Sequence, residues 1–79
     1  MKTKKQIKLD ERLLKACSEN NIKRVRKALE AGADPETKNH WGETMLSLAF
    51  EFGEIDIARL LMDYGAKLEE ENNDTTGNA

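Results

Sequence analysis

A 33-residue internal period is the feature that most constrains this chain. Gly32 and Ala33 are followed 33 residues later by Gly65 and Ala66, and each pair closes a stretch of helical character. Shifting the sequence by this offset places like residues on like: Leu13 on Leu46, Ala16 on Ala49, Ile22 on Ile55, Arg26 on Arg59 and Glu36 on Glu69. Such a period indicates a repeat protein, in which each unit buries its apolar face by stacking on a neighbour.

The first copy predicts an antiparallel pair of helices. We expect folding to begin near Asp10, with a short helix that runs through Ser18. Asn21 is a favourable N-cap for a second helix over residues 22–31, and Gly32 supplies its left-handed C-terminal turn. The apolar positions follow helical spacing, with Leu13, Leu14, Ala16 and Cys17 in the first helix and Ile22, Val25, Ala28 and Leu29 in the second.

The second copy predicts another pair. Asp34, Pro35 and residues 39–42 carry turn residues without helical periodicity, so we expect a projecting hairpin between the copies. Thr44 caps a helix that runs to about Phe52 and stops at Gly53. The next helix is expected to bury one stripe of side chains before Gly65: Ile55, Ala58, Leu61 and Met62.

A family pattern runs through the second copy. Asn39, Gly42 and Thr44 are followed by Leu46, Leu48 and Ala49, and then by Ile57, Leu60, Leu61, Gly65 and Ala66. This order resembles the ankyrin repeat, a unit of 33 residues with a hairpin and two helices. Met45 and Ser47 stand where the family usually has a proline and a histidine. This departure lowers the rigidity expected at these positions but does not change the expected fold. The resemblance spans about residues 9–71.

The resemblance implies an all-α, ankyrin-like solenoid of two helix-turn-helix repeats joined by a projecting β-hairpin-like loop. The first repeat, about 9–38, lacks the preceding hairpin and resembles an N-terminal capping repeat; the second covers about 39–71. Residues 1–8 form a basic N-terminus that we expect to be frayed. Residues 72–79 form a polar tail or the start of a third repeat, because Asp74 and Gly77 repeat the turn pattern of Asn39 and Gly42.

Several function classes have little support in the sequence. The chain has 79 residues, 35% of them charged, with no apolar run of membrane-spanning length and no secretory signal. One cysteine makes no internal disulfide, so we expect a cytoplasmic protein. No phosphate-binding glycine loop and no closely spaced set of metal ligands occurs, so we expect no cofactor, and a catalytic Cys17–His40 pair would need a hairpin residue to reach a core-facing helix.

Charge is unevenly distributed along the chain. Residues 1–38 hold 11 Lys and Arg against 6 Asp and Glu, whereas residues 39–79 hold 2 against 9, which gives +5 and −7. This asymmetry fits either an ordinary solvated surface or head-to-tail association and an electrostatically selected partner. Net acidity and few aromatic residues argue against nucleic-acid and membrane-surface binding, despite the Lys-rich N-terminus.

Protein recognition is the function that the geometry of stacked repeats favours. By resemblance to ankyrin repeats, the partner contacts are expected on the hairpin, on the first helix and near the end of the second helix: His40, Trp41, Glu43, Glu51, Phe52 and Tyr64. Trp41 and Tyr64 are the expected anchors, because large aromatic residues are enriched at interface hot spots. We therefore expect a non-enzymatic protein-interaction module.

Alternatives remain open at this point. Trp41 and Phe50 are either interface residues or local packing, and His40 is also explained as an exposed turn residue. The chain is also explained as an N-terminal capping fragment of a longer ankyrin array attached to another functional domain. In that case the outer face of the second repeat is unpaired, and self-association through this face is possible.

Overall fold

The computed structural model describes residues 2–68 and contains four α-helices in this range. They are α1 (Lys4–Ser18), α2 (Ile22–Glu30), α3 (Met45–Glu51) and α4 (Ile55–Asp63). Helix α1 packs on α2 and α3 packs on α4, while α1–α3 and α2–α4 contacts stack the two pairs. The predicted all-α fold of two stacked helix pairs is confirmed.

Local capping explains where these helices begin and end. The Asn21 side chain accepts a hydrogen bond from the N–H of Arg24 at the start of α2, and the Thr44 hydroxyl accepts one from the N–H of Ser47 at the start of α3. Both caps satisfy backbone donors that a helix leaves unpaired in its first turn. Gly32 follows α2 with a φ of 109°, a backbone conformation that residues with a Cβ rarely adopt.

The loop between the two pairs folds back on itself. Lys38 and Thr44 form an isolated antiparallel bridge, and the N–H of Asn39 donates to the carbonyl oxygen of Glu43 at 3.0 Å. These contacts close a tight loop over residues 38–44, hereafter the 38–44 loop, which corresponds to the predicted hairpin. It joins the first pair to the start of α3.

The core lies between the two helix pairs. Leu13 and Leu46, which are equivalent positions of the two repeats, are completely buried, as are Val25 and Leu61, and Ile57 is nearly so. Full burial of each of these side chains stabilises the fold by roughly 1.5–3 kcal/mol. The 33-residue period therefore corresponds to a repeated packing position, since the equivalent leucines of α1 and α3 are both completely buried.

Helix α1 begins earlier than the sequence predicts. The prediction of a helix start near Asp10 is wrong, because residues 4–8 already belong to α1 and Thr3 is its N-cap. The frayed N-terminus stays a prediction. Asp10 is buried and accepts hydrogen bonds from the N–H of Asp34 at 2.8 Å and from the side chains of Gln6 and Lys2. Contacts to the turn after α2 therefore hold the first turns of α1, although these turns lack a regular apolar pattern.

The buried stripe of α4 also differs from the prediction. Ala58 and Leu61 are buried as expected, but Ile55 is 50% exposed and Met62 is 44% exposed. Ile57 and Leu60 are buried in addition. Helix α4 packs on α3 and α2, and the apolar residues on its remaining side stay partly exposed.

Phe50 on α3 together with Ile55 and Met62 on α4 defines the apolar end face of the second repeat. Their equivalents in the first repeat are Cys17, Ile22 and Leu29, which are all packed within or against the core. Phe50 is 40% exposed, so its side chain does not fill the interface between the repeats completely. The difference between equivalent positions arises because the second repeat covers the first.

Candidate functional site

An open groove runs between α1 and α3 and is bordered by the 38–44 loop. It encloses about 590 Å³. Its apolar lining is contributed by both helices and by the loop: Leu14, Cys17, Trp41, Met45, Leu48, Ala49 and Phe52. Polar side chains complete the lining, namely Glu11, Lys15, Ser18, Asn39, His40 and Glu54. These residues define the α1–α3 groove.

Asn39 organises the loop that borders the groove. Its Oδ1 atom accepts hydrogen bonds from the N–H groups of Trp41 at 2.9 Å and Glu43 at 3.0 Å, and its Nδ2 atom donates to Oε1 of Glu43 at 3.0 Å. The N–H of Gly42 donates to the carbonyl oxygen of Asn39, and Gly42 adopts a φ of 78°. An asparagine side chain that binds the backbone two residues further on fixes a turn, so the position of Trp41 is set by its own loop.

Trp41 presents the largest exposed apolar side chain of the groove. It is 80% exposed, which disagrees with the alternative that it folds back as local packing. Its ring contacts that of His40 edge to face, with centroids 6.3 Å apart and an interplanar angle of 87°. The indole ring is therefore held from one side and leaves most of its surface accessible.

Phe52 supplies a second exposed aromatic residue to the same groove. It is the C-cap of α3, and Gly53 follows it with a φ of 72°, which ends the helix. The Phe52 side chain is 67% exposed. Two aromatic residues from the loop before α3 and from the end of α3 thus line one groove.

Three of the predicted contact residues line the α1–α3 groove and three do not. His40, Trp41 and Phe52 are lining residues. Glu43 lies in the 38–44 loop with its carboxylate bound to Asn39, and Glu51 is exposed on α3. Tyr64 is the C-cap of α4 and lies outside the groove, with 39% of its surface exposed.

Sequence reasoning missed the groove floor. Leu14, Met45 and Leu48 line it, but none was predicted to be a contact residue. Leu14 and Leu48 are partly buried against the core, so they combine packing with an accessible surface. The sequence could have indicated Leu14 and Leu48, because each is an apolar residue in the first helix of its repeat. That helix contributes side chains to the concave surface of stacked repeats.

Cys17 and His40 line the same groove, but the thiol is not activated. Burial, together with the nearby charge of Glu54, raises the pKa of Cys17 to about 12. A nucleophilic cysteine needs the opposite shift, because the thiolate is the reactive species. Cys17 therefore behaves as a small apolar residue of the groove wall. Within residues 2–68, no group of three or more His, Cys, Asp or Glu side chains has an arrangement that could hold a metal ion.

The groove carries charges of both signs, with a small excess of negative charge. Glu11 and Glu54 carry negative charge, and Lys15 carries positive charge. The nearby Glu43 and Glu51 are also exposed. A ligand that combines apolar side chains with a net positive charge is complementary to this surface.

Comparison with known proteins identifies the family. The family model for ankyrin repeats, which comprises three copies, matches residues 13–78. The match covers most of the chain, from the second half of α1 through α2, α3 and α4. The protein therefore belongs to the ankyrin repeat family, whose repeats are generally protein-interaction modules.

Individual relatives agree with this assignment. An ankyrin repeat protein of Rickettsia felis is 39% identical over 57 residues, which are 72% of this chain and 90% of that protein. The 2-5A-dependent ribonuclease of Mus musculus is 40% identical over 58 residues, which are 72% of this chain but 8% of the ribonuclease. An ankyrin repeat protein of Acanthamoeba polyphaga mimivirus is 41% identical over 49 residues, 62% of this chain and 30% of its own length. The chain thus matches less than a third of the latter two relatives.

None of the helices within residues 2–68 combines the length and the apolar character needed to cross a bilayer.

Proposed function

We propose that this protein binds a segment of a partner protein in the α1–α3 groove, with Trp41 and Phe52 as the principal anchors. The observation that carries the proposal is the convergence of two exposed aromatic side chains on one apolar groove. Large aromatic residues contribute disproportionately to protein interfaces, because they bury much surface with few rotatable bonds. Truncation of such an anchor commonly weakens binding by about 2 kcal/mol or more.

The polar residues around the groove set the chemistry of the partner. Glu11 and Glu54 line the groove, and Glu43 and Glu51 are exposed near it. His40 supports Trp41 through the edge-to-face contact. The expected partner segment therefore inserts one or two apolar side chains and carries Lys or Arg beside them. Tyr64 belongs to a separate contact region on this proposal, since it lies outside the groove.

We further propose that the protein is a binding module without catalytic activity and that it acts in the cytoplasm. The raised pKa of Cys17 disfavours a thiolate, which supports a packing role for the one cysteine of the chain. A single cysteine also suits a reducing compartment, where disulfides rarely persist.

A second candidate function is structural. The apolar end face of Phe50, Ile55 and Met62 is suited to stacking, and the matches to the ribonuclease and the mimivirus protein cover small parts of much longer chains. These observations favour a capping role in a longer array. That role predicts that additional downstream sequence raises stability without creating a new binding site.

Selection of binding peptides from a random phage-displayed library tests the binding function. Trp41 is the one tryptophan of the chain, so binding in the α1–α3 groove should shift its fluorescence and protect it from acrylamide quenching. We expect the double variant Trp41→Ala, Phe52→Ala to lose at least about tenfold in affinity for the selected peptides. For variants that lack tryptophan, the affinity is measured from the fluorescence anisotropy of a labelled peptide.

The matched control replaces two exposed apolar residues outside the groove. Ile7 is 44% and Leu68 is 49% exposed, and neither lines the groove. The variant Ile7→Ala, Leu68→Ala should bind as the wild type does. Peptides that bind the Trp41→Ala, Phe52→Ala variant with unchanged affinity, while circular dichroism shows both variants folded, would contradict the proposed site.

A further inference from the structure

The outer side of the first repeat carries a cluster of cations. Arg12 and Lys15 on α1 and Arg24 and Lys27 on α2 line a second groove, which encloses about 370 Å³. Its floor consists of small side chains from the same helices, namely Ala16, Ala28 and Ala31. All four cationic side chains are exposed. This groove is hereafter the basic end face.

The internal period shows why this face is unusual. The four cations are equivalent, 33 residues later, to four apolar residues: Met45, Leu48, Ile57 and Leu60. Met45, Ile57 and Leu60 are buried and Leu48 is partly buried against the core. Where the second repeat offers apolar side chains, the first repeat thus offers a cation at every one of the four positions.

The need for solubility explains why the outer face is polar, but it does not explain why the charge of this face is positive. Terminal repeats need polar outer surfaces, and either charge satisfies that need. Glu19 is the one acidic residue in the lining, and it lies 3.6 Å from Arg24. Arg12, Lys15 and Lys27 have no carboxylate partner among residues 2–68. The face therefore suits an anionic ligand and repels another basic surface.

The chain itself contains a segment of the complementary charge. Residues 69–71 are three consecutive glutamates, and Asp74 follows them. They lie outside the described residues and continue the sequence after Leu68 in the second repeat. Residues 39–79 carry a net charge of −7, whereas residues 1–38 carry +5. The two halves of the chain are therefore electrostatically complementary.

We infer that the basic end face of one molecule binds the acidic segment of residues 69–74 of a second copy. The association is head to tail, because the two contributing surfaces are different. A head-to-tail contact leaves one free surface of each kind, so the assembly grows beyond a dimer unless it closes into a ring. Because the pairs are exposed, we expect weak binding with a strong dependence on salt.

Sedimentation of the full chain tests this association. At about 25 mM salt, the average mass should rise with protein concentration toward about 1 mM and pass the dimer value, and at about 500 mM salt it should stay that of a monomer. The variant Arg12→Glu, Lys27→Glu removes two cations that line this face but not the α1–α3 groove. It should remain a monomer at both salt concentrations.

The matched control has the same change in net charge at other sites. Lys8 and Lys23 are exposed on α1 and α2 and do not line the basic end face. The variant Lys8→Glu, Lys23→Glu should associate as the wild type does. Loss of association in this control as well would show that net charge alone governs the mass, and would overturn the assignment to the basic end face.

A charge swap gives the most specific outcome. The variant Glu69→Lys, Glu70→Lys, Glu71→Lys should also be a monomer alone, because its own basic end face repels the new lysines. Mixed in equal amounts with Arg12→Glu, Lys27→Glu, it should restore the wild-type rise in mass at low salt. Circular dichroism establishes that each variant is folded.

Three further results would overturn the inference. A wild-type chain that stays a monomer at low salt would show that no second copy binds, including the case in which the segment folds back within one molecule. Association that persists in both charge variants and at high salt would assign it to the apolar end face. A charge-swapped mixture that stays monomeric would exclude direct pairing of the two surfaces.

Discussion

At the scale of single residues, Asp10 joins two parts of the chain that are distant in sequence. Asp10 is 4% exposed, and its carboxylate accepts a hydrogen bond from the N–H of Asp34 in the turn after α2. Gln6 reaches both Asp10 and the carbonyl oxygen of Gly32, each at 2.9 Å. Lys2 completes the cluster, with its ammonium group 2.5 Å from Asp10 and 3.3 Å from Asp34. The cluster therefore fastens the start of α1 to the end of the first repeat.

The protonation of Asp10 is set by opposing effects. Burial alone would raise its pKa, but hydrogen bonds from the N–H of Asp34 and from Lys2 and Gln6 outweigh burial, so the pKa lies below the ordinary value of 3.8. The unfolded chain then takes up the proton first as the pH falls. Asp10 accordingly stabilises the folded state fully well above pH 3.8, and this contribution disappears as the pH falls from there through the lower pKa of the folded state.

We expect Asp10→Asn to lower the free energy of unfolding at pH 7 by about 1–3 kcal/mol, because a hydrogen-bonded buried charge is replaced by a neutral amide of similar size. The difference from the wild type should shrink steadily below pH 3.8. Urea unfolding followed by circular dichroism across this pH range measures both effects. Glu36→Gln, a change at an exposed carboxylate, is the control and should leave the free energy of unfolding at pH 7 close to that of the wild type. A pH-independent difference for Asp10→Asn would contradict the charge-based role.

At the scale of secondary structure, the 38–44 loop connects folding to the proposed binding site. Asn39 binds the N–H groups of Trp41 and Glu43, so the loop that carries the aromatic anchor is fixed before any ligand arrives. A preorganised contact residue loses less conformational entropy on binding. On the proposed function, the loop contributes to affinity through Asn39, a residue that itself has little apolar surface.

We expect Asn39→Ala to weaken binding of groove-selected peptides although Trp41 and Phe52 are retained. The lost hydrogen bonds should also lower the free energy of unfolding by about 1–2 kcal/mol. Tryptophan fluorescence titration measures the affinity and urea unfolding measures the stability. Glu43→Gln keeps an acceptor for the Asn39 amide and should resemble the wild type in both. Unchanged affinity in a folded Asn39→Ala variant would show that the loop needs no prior ordering.

The helices differ in how well the sequence predicts where they begin and which of their sides is buried. The caps at Asn21 and Thr44 were predicted correctly because a cap depends on side chains and backbone within one turn. The start of α1 was not, since the residues that hold it include Gly32 and Asp34, more than 20 positions away. Exposed Ile55 has the same helical spacing as buried residues, so periodicity alone cannot tell which apolar side of α4 meets a neighbour.

The candidate site likewise contains residues that the sequence predicts and residues that it does not. His40, Trp41 and Phe52 were predicted from the repeat register and line the α1–α3 groove, whereas Leu14 and Leu48 were missed because they also pack against the core. Tyr64 was grouped with the anchors by residue type, although the end of α4 lies outside the groove. A groove-lining residue is therefore predictable when its element borders the groove, and not from its aromatic character alone.

At the scale of the whole molecule, the two repeats have identical registers but different surroundings. Leu29 on α2 and Met62 on α4 are equivalent positions, yet Leu29 is 4% exposed and Met62 is 44% exposed. Helix α4 packs on α2, while the corresponding side of α4 forms the apolar end face. The stability contributed by a residue should therefore depend on its place in the stack more than on its place in the repeat.

This dependence predicts unequal effects of equivalent substitutions. Leu29→Ala should lower the free energy of unfolding by about 2–5 kcal/mol because it leaves a cavity between the repeats, and Met62→Ala should lower it by less than about 1 kcal/mol. Urea unfolding at low protein concentration and high salt measures both without head-to-tail association. If Leu29→Ala is largely unfolded, Leu29→Val provides the milder comparison, with an expected loss of roughly 0.5–1.5 kcal/mol by analogy with other single-methylene truncations. Equal losses at Leu29 and Met62 would mean that the apolar end face is covered in solution, which would make the second repeat an interior unit of the stack instead of its end.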